Sequence, residues 1–157
     1  MDHLIDPPEI TQSEATKTAF VHVTVPREQI RLVVDPALRE LRMALAGQGI
    51  KPTGPWFTHH LKFDPKVFDF RVCLPIAKDF TPTGRVQPGQ MDGRKIARTI
   101  YRGPYENLGA AWGVFGTWLK DRGHTPEEDF WARYLRGSEK SDDPAEWETE
   151  LNRPLAR

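Results

Sequence analysis

At 157 residues the chain is long enough for one compact domain or two small units sharing a core, burying roughly two-thirds of the surface its unfolded form exposes. Its 22 basic and 22 acidic residues cancel, which argues against a global nucleic-acid footprint, and the single cysteine, Cys73, excludes an intrachain disulfide and fits a reducing compartment. No apolar run approaches the ~20 residues of a membrane span, and the start, Met1 to Asp6, lacks the basic-then-apolar form of a signal peptide, so a cytoplasmic protein is expected.

Residues Met1 to Lys17 are polar, carry Pro7-Pro8 and show no sustained periodicity, and read as an extended leader that docks only partly. Phe20 to Pro26 is β-rich. A helix follows from Asp35 to Ala46, with Asp35 as N-cap, Pro36 in the first turn and Leu38, Leu41 and Leu45 as its apolar stripe, stopped by Gly47 or Gly49. Gly54-Pro55-Trp56-Phe57-Thr58-His59-His60 and Phe68 to Leu74, before Pro75, read as strands. The Pro-rich stretch within 79–94 reads as a linker.

The same order then returns. Ile96 to Tyr101 is β-rich, and a helix is expected from Pro104 to Arg122 with the stripe Leu108, Trp112, Phe115 and Leu119, ended by Gly123. Phe130 to Tyr134 and Trp147 to Arg153 are its strands, before Pro154. The chain is therefore expected to be α+β, a duplicated strand-helix-strand-strand unit with pseudo-two-fold symmetry and a central ligand cleft. Repeat one covers about 18–78 and repeat two about 95–157 of a single domain spanning 18–157. Gly109, Gly113 and Gly116 break the helix rule inside the second helix, and close aromatic packing against the sheet is the expected reason, with a ligand contact as its alternative.

Charge is segregated along the chain. Arg85 to Pro104 carries five basic residues against Asp92, and Glu127 to Glu150 carries nine acidic against three basic. The second stretch reads as a solvated acidic surface, with a preference for cationic ligands as its alternative.

Period-two geometry places Trp56, Thr58 and His60 on one strand face, and Phe130, Ala132 and Tyr134 on another. Trp56, His60, Phe130, Tyr134 and Trp147 are the candidate ligand-binding residues, expected on the sheet face opposite the helices. No metal or cofactor is expected: the neighbours His59 and His60 point to opposite faces, and no recurrent ligand spacing includes Cys73. Ser13, Ser138 and Ser141 lie in polar contexts without a nucleophile-elbow motif, and Glu106 reads as a capping residue.

Gly103-Pro104-Tyr105-Glu106 opening a helix, Gly123 after it, Trp131-Ala132-Arg133-Tyr134 in a strand and Asn152-Arg153-Pro154-Leu155 at the end resemble the GyrI-like small-molecule-binding domain. This is the effector-binding domain of many AraC-type and MerR-type regulators. Gly54-Pro55-Trp56-Phe57 and Asp69 to Pro75 extend the resemblance to the first copy, about Thr18 to Leu155 in all. It implies a cleft for bulky aromatic or cationic molecules. Members similar to this chain commonly carry Trp-Glu-x-Tyr where Ala132 stands here. In the branch that hydrolyses cyclopropane-containing toxins, the resemblance implies catalytic roles at position 132 and at Tyr134, the carboxylate serving as a general base.

Alanine cannot do this, so hydrolysis is expected of a Glu-bearing parent and not of this chain. The surrounding match favours a Glu-to-Ala replacement over natural loss. A stand-alone binding protein, without direct nucleic-acid or membrane binding, is the first reading, supported by the lack of helix-turn-helix residues outside the repeats. A protective module that contacts gyrase or another protein is implied by other members.

Overall fold

The computed structural model describes residues 4–137 and 140–156. Residues 1–3 of the expected leader, Ser138, and Arg157 at the end of repeat two lie outside the described residues. Eight strands and two α-helices are present among them: β1 (Glu9–Gln12), β2 (Thr16–Pro26), α1 (Ile30–Gly47), β3 (Phe57–Lys62), β4 (Val67–Ile76), β5 (Gln87–Met91), β6 (Lys95–Arg102), α2 (Leu108–Asp121), β7 (Phe130–Arg136) and β8 (Glu148–Pro154). The architecture is α+β with antiparallel strand pairing. No helix of the described residues is long and apolar enough to cross a membrane.

The chain divides into two compact bodies, Glu14–Gly93 and the segment up to Ser13 together with the chain from Arg94. In the first the strands run in the order β3-β4-β2-β5, and in the second β7-β8-β6-β1. The two orders are equivalent. Thr58 faces Val72 and Val72 faces Val21 in the first body, while Ala132 faces Leu151 and Leu151 faces Thr99 in the second. Strands β3 and β7 carry a register irregularity at the same place, between His60 and Lys62 and between Tyr134 and Arg136, as a β-bulge gives. Register thus matches Thr58 with Ala132, His60 with Tyr134, Phe68 with Trp147, Phe70 with Thr149 and Arg71 with Glu150.

Each body takes its edge strand from a segment that the sequence reading left irregular. β5, within the expected linker 79–94, pairs with β2. β1, within the expected leader, pairs with β6, and buried Ile5 bridges Tyr101. The Thr99 hydroxyl donates to the Asp6 carbonyl at 2.6 Å, anchoring the same segment. Polar edge strands have weak periodicity because one face and one rim meet water, so composition alone reads them as loop.

Each helix covers one face of its own body's strands. Leu41 and Leu45 of α1 are buried with Val21, Phe70, Val72 and Leu74, and Leu38 packs against them. Phe115 and Leu119 of α2 are buried with Ala97, Tyr101, Ala132 and Leu151. Helix α1 begins five residues before the expected start, which leaves Pro36 inside it. The extra turn follows a short 3-10 turn, Arg27–Gln29, matched by Tyr105–Asn107 before α2. Pro26-Arg27-Glu28-Gln29 and Pro104-Tyr105-Glu106-Asn107 are the same helix entry written twice.

A Cβ on Gly109, Gly113 or Gly116 would meet nothing within 4 Å, so close packing is not what places glycine there. Gly103 has φ 141° and its Cβ would stand 2.8 Å from the Tyr101 hydroxyl, which itself donates to the Pro104 carbonyl at 2.6 Å. Only glycine fits that turn.

Candidate functional site

The candidate residues fall on the helix-covered face, not opposite it. Tyr134 packs against the cluster that holds Phe115 and Leu119, and Trp56 against the one that holds Leu41 and Leu45. The physical reason lies in the neighbours. Ala132 and Leu151 supply the small and branched side chains on which α2 sits, and alternation carries Tyr134 to that same side.

In the second body Tyr105, Tyr134 and Trp147 come together. The Tyr105 ring lies 4.8 Å from Trp147, tilted by 34°, and meets Tyr134 edge-on at 5.7 Å. Trp147 precedes β8 instead of starting it, and its indole N–H donates to the Ser141 carbonyl at 3.0 Å. Phe130 joins a different contact, edge-on to Trp112 at 4.9 Å with the Arg153 guanidinium 5.5 Å from its ring. Ala132, between them on the strand, is 2% exposed, and its equivalent Thr58 is 1% exposed. A small residue at both positions fits a strand pressed closely by a helix.

In the first body His60 stacks on Phe70 at 5.1 Å and meets Phe68 edge-on at 5.6 Å. Burial first, then the charges of His59 and Arg27, lower the His60 pKa to about 4, so its ring is neutral near pH 7. Arg27 completes this group, its guanidinium 4.3 Å from the centre of Phe68 and 4.8 Å from that of Phe63. Where Phe70 supports His60, the second body has Thr149, whose buried hydroxyl has no hydrogen-bond partner among the described residues.

Sequence reading missed Arg27, Phe68 and Tyr105 as wall residues. The duplicated Pro-x-Glu entry and the Phe68/Trp147 match were the available signals, and only the strand register makes them visible.

The opposite face of the second body holds a buried carboxylate. Glu150 accepts from Arg133 Nη1 at 3.0 and 3.1 Å and from the Asn152 amide at 3.0 Å, with Arg98 Nε at 3.3 Å. Arg94 pairs with Asp129 and Arg102 with Glu148. Three acidic residues of the 127–150 stretch, Asp129, Glu148 and Glu150, are thus paired with arginines, while Glu127, Glu128, Asp142, Asp143 and Glu146 are exposed, as a solvated acidic surface requires.

The model of the GyrI-like small-molecule-binding domain matches residues 6–156. The chain belongs to the GyrI-like family. Among curated proteins none matches its sequence. Similar solved structures include the EcmrR C-terminal domain, 21% identical over 99% of both chains with a TM-score of 0.85. The EcmrR–DNA complex is similar over 98% of this chain, which spans 58% of the EcmrR chain there, at 19% identity and a TM-score of 0.83. A hydrolase from Listeria innocua is 15% identical over 95% of this chain and 91% of its own, TM-score 0.66. SAV2435 bound to tetraphenylphosphonium is 8% identical over 96% and 94%, TM-score 0.67. At these identities the likeness is one of fold.

Proposed function

We propose that this GyrI-like chain binds bulky aromatic molecules on aromatic side chains that each body carries in its own right, Trp56, His60 and Phe68 in the first and Tyr105, Phe130, Tyr134 and Trp147 in the second. The observation that carries this reading is the repetition: two strand-helix-strand-strand bodies present rings at equivalent register positions, beside the same helix entry. Rings held edge-on and tilted supply apolar area with fixed geometry, which suits flat or propeller-shaped organic ligands. The neighbours include EcmrR, solved in complex with DNA, and a hydrolase, and non-catalytic binding is the reading favoured here because position 132 carries a methyl group with no acid or base function.

Calorimetric titration with tetraphenylphosphonium, the compound named for SAV2435, and with its anionic counterpart tetraphenylborate tests the reading. Saturable binding of at least one, weakened about five- to thirtyfold by Trp147→Ala, is expected, since losing one stacked ring removes about 1–2 kcal/mol. No saturable binding of either would reject it. A hydrolytic reading belongs to a parent that carries Glu in place of Ala132.

A further inference from the structure

The helix entries of the two repeats differ in one chemical respect. The first residue of the 3-10 turn after Pro104 is Tyr105, whose ring covers Trp147; the equivalent residue after Pro26 is Arg27, whose guanidinium covers Phe68, the equivalent of Trp147. A cation therefore occupies the position of a ring. Arg27 is held there by two aromatic faces and by its Nε donating to the Asp64 carbonyl at 2.7 Å, a neutral acceptor. The Asp64 carboxylate is turned elsewhere, accepting from the Lys66 and Val67 backbone N–H groups. Among the described residues no carboxylate forms an ion pair with Arg27, so its guanidinium rests on the aromatic wall without one.

We infer that Arg27 is a specificity-determining residue that fills the cation position of the first repeat's aromatic wall and so turns this protein toward anionic aromatic ligands and away from cationic ones. The inference rests on the binding function proposed above. A ring face that already carries a guanidinium has its electron-rich surface engaged, and a second cation there meets repulsion where an anion meets attraction. His60, neutral and stacked on Phe70, adds no opposing charge. Ala132 in the second body likewise offers no carboxylate.

The test uses two probes of one shape and opposite charge, tetraphenylborate and tetraphenylphosphonium, titrated calorimetrically into the full chain. The wild type is expected to bind the borate more tightly. Arg27→Gln should lower the borate-to-phosphonium affinity ratio by about tenfold, the change that about 1.4 kcal/mol of charge interaction gives. Arg27→Lys, which retains the charge, should keep the ratio closer to wild type. Arg39→Gln, removing an exposed charge from α1, should leave it unchanged and corrects for net charge. An unchanged ratio in Arg27→Gln, an equal shift in Arg39→Gln, or a wild type that prefers the phosphonium would overturn the inference while leaving binding intact. Failure of both probes to bind the wild type would instead reject the binding function and this inference with it.

Discussion

His60 lies nearly flat on Phe70, ring centroids 5.1 Å apart and planes inclined by 19°. The stack is possible because β3 and β4 set the two residues directly opposite each other, and burial then keeps the imidazole neutral. At the equivalent place in the second body Tyr134 stands opposite Thr149. The first repeat therefore has a titratable floor and the second does not.

That difference predicts a pH dependence of stability. The folded-state pKa of about 4 lies below the ordinary 6.5, so between these values the unfolded chain takes up a proton that the native chain refuses. Stability contributed by His60 is complete above pH 6.5 and falls as the pH drops toward 4, by about 3 kcal/mol at the end of the window. Urea midpoints between pH 7 and 4 should show this decline, and His60→Phe should flatten it. An identical decline in the variant would show that other groups carry it.

Gly103→Ala should destabilise the second body by about 1–3 kcal/mol, since alanine resists the positive φ and its methyl would press on the Tyr101 hydroxyl. Tyr101→Phe in the same background removes that hydroxyl and should recover part of the loss. Thermal melts of the three proteins measure both effects; a neutral Gly103→Ala would mean the turn relaxes freely.

Glu150→Gln is expected to cost about 1–2 kcal/mol, because it leaves the partly exposed Arg98 and Arg133 facing a buried neutral group. Both arginines are partly exposed, which holds the figure below that of a fully buried pair. Replacing Arg133 by Met as well should cost less than the two single changes added together. Denaturant unfolding of the double-mutant cycle reads the coupling directly, and strict additivity would dissolve the network.

Much of this could be read from the chain itself. The Leu38-Leu41-Leu45 and Leu108-Phe115-Leu119 stripes place both helices, and Pro75 and Pro154 close equivalent strands, so the duplication is legible. The edge strands β1 and β5 are not, because Glu9–Gln12 and Gln87–Met91 are polar segments whose strand state comes from pairing with β6 and β2. Alternation also says which residues share a face without saying which face a helix covers. Trp131 and Tyr134 are both large and aromatic, and only the packing of Ala132 and Leu151 under α2 decides between them.

Ala132→Glu tests the hydrolytic parent. The carboxyl would enter the apolar cluster with Phe115 and Leu151, so its pKa should rise and stability should fall by about 2–3 kcal/mol. If that site supports general-base chemistry, the loss of an activated cyclopropane substrate, followed by chromatography, should accelerate at least ~10²-fold, and Tyr134→Phe should reverse part of the gain. Background rates in every variant would leave a binding protein alone.

The bulges after His60 and Tyr134 sit between the aromatic walls and the connections that follow, residues 63–66 in one body and 137–147 in the other. An irregularity at that point works like a clutch. It lets the length and chemistry of the connection change while the strand register behind it, and hence the placement of His60 and Tyr134, stays engaged. Two copies of one unit can in this way acquire different connections, four residues long after Lys62 and eleven long after Arg136, on strands of unaltered register. New ligand preferences could then evolve in these connections, where substitutions are cheap, without reopening the packing that folds the chain.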